Sequence, residues 1–80
     1  LVYPNPAHGL INVQCISEAT GNTVINIYDV NGKNVQKVTF SKEQSLQQRS
    51  LNITRLAPGV YHLEVMIDGK KRMISKFIKQ

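Results

Sequence analysis

Val60-Tyr61-His62-Leu63-Glu64-Val65-Met66-Ile67 is the most regular stretch of the chain. Tyr61, Leu63, Val65 and Ile67 fall on one side of an extended backbone, with His62, Glu64 and Met66 on the other, because successive side chains of a strand point to opposite faces. The first set is expected in the core and the second outside it. Asp68-Gly69 then separates this strand from Lys71 to Lys79, and Asp-Gly between two such runs signals a type I′ hairpin, whose central residues both take positive φ. In the last strand Met73 and Phe77 share one face and Ile74 and Ile78 the other, so it is apolar on both sides. A strand with two apolar faces exceeds what one thin core requires.

The same periodicity extends toward the N-terminus. Leu56-Ala57-Pro58-Gly59 should turn the chain, with Pro and Gly placed for a type II turn, and Ser50 to Thr54 alternates through Leu51 and Ile53. Ser41 to Ser50 holds Lys42, Glu43, Gln44, Gln47, Gln48 and Arg49 around a lone Leu46, and is read as a loop crossing from one sheet to the other. Leu10 to Ile16 sets Ile11, Val13 and Cys15 against Asn12 and Gln14. After a turn at Thr20-Gly21-Asn22, Thr23 to Asp29 places Ile25 and Ile27 on one face. Asn31-Gly32 is a second type I′ signal, opening a strand that runs to about Phe40.

With a short strand at Leu1 to Tyr3 the total is about seven, too many for one flat sheet of this length. The expected fold class is all-β, a small antiparallel two-sheet β-sandwich of immunoglobulin-like form, with residues 1–80 as a single domain. Its expected core is Ile11, Val13, Ile25, Ile27, Leu51, Ile53, Tyr61, Leu63 and Val65, with Phe40 also inside.

Eighty residues bury only about 60 to 65 % of the unfolded surface, which leaves little depth for a catalytic cleft. No apolar run approaches the ~20 residues of a membrane-spanning helix. The chain opens on Leu1 with no charged and apolar leader behind it, so it reads as a piece whose usual export signal would lie upstream. Its net charge of +5 sits entirely in Lys70 to Gln80, where Lys70, Lys71, Arg72, Lys76 and Lys79 meet no acid. Such a stretch suits an anionic partner, or protects an edge strand from aggregation. An exposed edge would also permit weak dimerisation. Cys15 stands alone, which excludes an intrachain disulfide, and its place in an apolar alternation makes it a buried, inert thiol.

Catalysis finds no residues to carry it. The two histidines, His8 in a Pro-rich turn and His62 on a polar strand face, come with no nucleophile motif, and the five acids are scattered singly. No phosphate loop, metal-ligand spacing or cofactor motif is present, so the expectation is a non-enzyme without cofactor or metal. Asn52-Ile53-Thr54 matches a glycosylation triplet but is discounted because it lies within an expected strand. Phe77 alone is a poor stacking platform for nucleic acid. A carbohydrate-binding or adhesion module, the rival reading, would show aromatics exposed together on one face, whereas Tyr61 and Phe40 are assigned to the core.

Four elements carry a resemblance. Tyr3-Pro4-Asn5-Pro6-Ala7, followed by Gly9 and a strand, looks like the opening of the C-terminal sorting domains of the type IX secretion system, type A. Ile27-Tyr28-Asp29-Val30-Asn31-Gly32-Lys33 is similar to that family's strand, turn and Gly-Lys unit. Leu56-Ala57-Pro58-Gly59-Val60-Tyr61 resembles its L-x-x-G-x-Y element, and Lys76-Phe77-Ile78-Lys79 its basic and apolar ending. Cys15 and the extra Gln80 depart from the pattern. The resemblance implies a signal that directs a passenger, N-terminal in the same chain, across a bacterial outer membrane. It also implies recognition by the outer-membrane translocon, removal by a sortase-like peptidase, and passage through the periplasm to the cell surface or medium. Lys76, Phe77, Ile78 and Lys79 are the expected translocon contact; Tyr3, Pro4, Asn5, Pro6, Gly32, Lys33, Pro58, Gly59 and Tyr61 are motif and scaffold.

Overall fold

The computed structural model describes residues 1–80. Alternation becomes strand wherever one face can be buried, and seven strands result: β1 Val2–Tyr3, β2 Leu10–Ile16, β3 Gly21–Tyr28, β4 Asn34–Lys42, β5 Leu46–Asn52, β6 Gly59–Ile67 and β7 Lys71–Lys79. They form two antiparallel sheets, one ordered β1-β2-β5 and the other β4-β3-β6-β7. The chain passes between sheets three times, at β2–β3, β4–β5 and β5–β6. No helix is long and apolar enough to cross a membrane.

The inner faces meet in a single cluster of 16 buried apolar residues. All nine of the residues expected there are in it, together with Phe40 and the thiol of Cys15, which is fully buried. Val2, Ala7, Leu56, Ile67 and Phe77 complete it. Phe77 stacks on Tyr61 with ring centroids 5.5 Å apart, joining the last two strands from beneath. Such a pair adds about 0.5–1.5 kcal/mol beyond its buried area.

Four local expectations are corrected. The polar stretch Ser41 to Ser50 does cross between sheets, but the crossing itself needs only Glu43 to Ser45, and most of the stretch is strand. β5 lacks visible alternation because it is an outer strand. Leu46, Gln48, Ser50 and Asn52 face solvent, and of the inward set only Leu51 is buried. Arg49 lies over the Phe40 ring at 4.7 Å, covering the core with a cation.

Asn31-Gly32 does not form a type I′ turn, since only Gly32 has positive φ. Asp29 prevents it: its carbonyl accepts from Gly32 N–H, while its carboxylate accepts from the N–H groups of Asn31 and Lys33 at 2.9 and 3.0 Å. The outcome is a three-residue loop ending in a left-handed glycine. Asp68-Gly69 meets the expectation, with φ of 53° and 68° and Lys70 N–H donating to Ile67 C=O. Pro58-Gly59 closes no hydrogen-bonded turn. The tight turn comes earlier, where Leu56 N–H donates to Ile53 C=O, and Gly59 already belongs to β6. Finally, Gly21 and Asn22 are the first residues of β3 rather than a turn.

Candidate functional site

Strand direction decides where the sequence elements meet. The end of β1, the start of β2, the end of β3, the starts of β4 and β6 and the end of β7 all lie at one pole, as the pairings Leu10↔Asn52, Tyr28↔His62 and Gly59↔Lys79 require. Tyr3 to Ala7, Gly32-Lys33, Pro58 to Tyr61 and Lys76 to Lys79 are therefore gathered at one end, although the sequence spreads them over its whole length.

The opening element is fastened to the closing one. Both the Tyr3–Pro4 and Asn5–Pro6 peptide bonds are cis. Asn5 Oδ1 accepts from Ile78 N–H at 3.0 Å, and Asn5 Nδ2 donates to Lys76 C=O at 3.5 Å. One amide side chain thus answers the outer edge of β7 as a neighbouring backbone would. Ala7 continues the pairing: its N–H donates to Ile78 C=O at 2.7 Å and its C=O accepts from Gln80 N–H at 2.8 Å, a short parallel bridge. Gln80 is used here as a hydrogen-bond donor.

The remaining motif residues divide into supports and surface. Tyr61 is buried and its hydroxyl donates to Ala57 C=O at 2.6 Å, bracing the loop that carries Pro58. Tyr3 is half-buried, and its hydroxyl donates to Gln48 at 2.7 Å. Pro4, Asn5, Pro6, Gly32, Lys33, Pro58 and Gly59 are exposed. In the closing element Lys76 and Ile78 face outward, Lys79 is half-buried, and Phe77 is wholly inside. The Phe77 ring is therefore closed to a partner on the outer surface.

Ile74 and Ile78 are 62 % and 42 % exposed, so the second apolar face of β7 is left uncovered. On the same outer face stand Lys76 and Arg72, the latter paired with Glu64 across β6 at 2.6 Å. Of the five aromatic residues, Phe40, Tyr61 and Phe77 are buried and Tyr3 and Tyr28 half-buried, and no platform of exposed rings forms. No three His, Cys, Asp or Glu side chains come together to hold a metal.

The opposite pole holds a residue that the sequence did not announce. Lys42 is 1 % exposed, and its Nζ donates to the carbonyls of Ser17 at 2.7 Å, Ala19 at 2.9 Å and Gln44. It ties the β2–β3 and β4–β5 crossovers together with no carboxylate nearby in the bonding. Cys15 lies close enough to feel its charge, but burial dominates and pushes the thiol up from its ordinary range.

A family model described as a secretion system C-terminal sorting domain matches residues 1–80, the whole chain. No curated protein matches it.

Proposed function

Since the chain belongs to the secretion system C-terminal sorting domain family, the type IX export signals, we propose that this folded sandwich is the address by which a larger passenger, N-terminal in the same chain, is taken across a bacterial outer membrane. The observation that supports this most directly is the convergence of the four motif elements at one pole, with Asn5 hydrogen-bonded to the last strand. A signal read as a folded surface needs its parts brought together, and this fold does so. Lys76, Ile78 and Lys79 supply the contact with the translocon, with Phe77 fixing their strand from below. The passenger travels through the periplasm, and a sortase-like peptidase removes the domain upstream of Tyr3.

The test is transfer of export. Residues 1–80 fused to an unrelated folded protein with an inner-membrane signal should bring it to the surface of a host with this machinery, and the fusion should stay periplasmic in a strain lacking the translocon. Equal surface appearance in both strains would refute the reading.

A further inference from the structure

The outer edge of β7 is covered along only part of its length. Alternate residues of an edge strand turn their N–H and C=O groups away from the sheet. The bonds of Ile78 to Asn5 and Ala7 identify the outward set as Lys76, Ile78 and Gln80, and the two-residue period adds Ile74 and Arg72. Asn5 and Ala7 occupy the C-terminal half of this edge. The outward backbone groups of Arg72 and Ile74 have no partner, because β7 ends its sheet and its one further bridge is at Lys79.

Beside the bare half, Leu1, Val2, Met73 and Ile74 line an apolar notch of about 100 Å³ that opens between the two sheets. Lys70, Lys71 and Arg72 immediately precede Met73 and Ile74 in the chain, all exposed, and only Arg72 has an acidic partner. Proteins blunt free edges with charge, proline or bulges, and the lysines alone would do so here. An isoleucine 62 % exposed in the middle of the bare stretch, next to an apolar notch, works against that purpose.

We propose that Lys71 to Ser75 is a docking edge for an extended segment of the export machinery in which acidic and apolar residues alternate, added as a further strand beside β7. This rests on the sorting reading above. Main-chain bonds to Ile74 and Arg72 supply affinity. Apolar side chains of the incoming strand enter the notch, and its acidic ones meet Lys70, Lys71 and Arg72.

The decisive variant is Ile74→Pro in the passenger-bearing protein. It removes an N–H that has no partner in the fold, so the β6–β7 ladder is untouched and the melting temperature should move by a few degrees only. Export should fall about tenfold, as expected for a lost main-chain hydrogen bond plus a ring in the path of the added strand. Ile74→Val, which keeps the N–H and most of the apolar surface, should export normally, and Lys70→Glu with Lys71→Glu should reduce export. In hydrogen exchange on the same protein, a synthetic peptide of alternating Glu and Val should protect Arg72 and Ile74, and its Lys/Val counterpart should not.

Translocon-independent export of the unaltered protein would remove the sorting reading itself. Translocon-dependent export left unchanged by Ile74→Pro would overturn the docking edge alone. A concentration-dependent dimer abolished by Ile74→Pro, with export intact, would assign the edge to a second copy and overturn it equally.

Discussion

The two poles of the sandwich are closed by different means. At one, a single buried lysine holds two crossovers through three carbonyls; at the other, Asn5, Ala7 and Tyr61 each hold one segment through one or two bonds. The first arrangement is all-or-none, because removing Nζ strands three carbonyls together. The second is divisible, so the pole that carries the motifs can lose one fastening and keep the rest. Stability is concentrated away from the family motifs, and a surface of small independent parts is left where those motifs gather.

Lys42→Ala should therefore be the most damaging single change, costing about 3–4 kcal/mol through three lost hydrogen bonds to partly buried carbonyls and the space left by the buried stem. Urea unfolding checks it, and a cost below that of Tyr61→Phe would break the contrast between the poles. Tyr61→Phe keeps the stack on Phe77 but orphans Ala57 C=O, with an expected loss of about 1–2 kcal/mol. Asn5→Ala should cost about 1 kcal/mol, since its bonds are exposed, while hydrogen exchange at Ile78 should rise well beyond what that global loss explains.

The smallest effect is at Cys15. Burial holds its thiol above the ordinary value of 9.0, outweighing the opposing charge of Lys42. The folded state then keeps a proton that the unfolded chain releases, so this contribution is complete below that value and is lost as pH rises past it. Melting followed from neutral to strongly alkaline pH should fall less steeply for Cys15→Ala than for the unaltered protein.

Neither pole was wholly legible in the sequence. Core strands show themselves because burial on one face forces alternation, which is why Ile25, Ile27, Leu63 and Val65 could be read directly. The turn at Asp68-Gly69 needs only its own two residues and was equally plain. Lys42 and β5 were hidden because a lysine satisfied by backbone carbonyls has no partner residue to betray it, and an outer strand polar on both sides has no period. Asn31-Gly32 misled because the side chain of Asp29, two residues earlier, chose between turn types. The bare half of β7 could not have been read either: only the fold reveals that Asn5 and Ala7 reach Ile78 and stop short of Ile74.

The parallel bridge between Ala7 and the last strand also has a mechanical meaning. Pulling on Leu1 and Gln80 in opposite directions drags two parallel segments past each other, so the bonds from Ile78 to Asn5, Ala7 to Ile78 and Gln80 to Ala7 bear the load together rather than opening one at a time. A passenger tugging from upstream would meet a clasp that resists in shear, and the address would stay folded while it is being read.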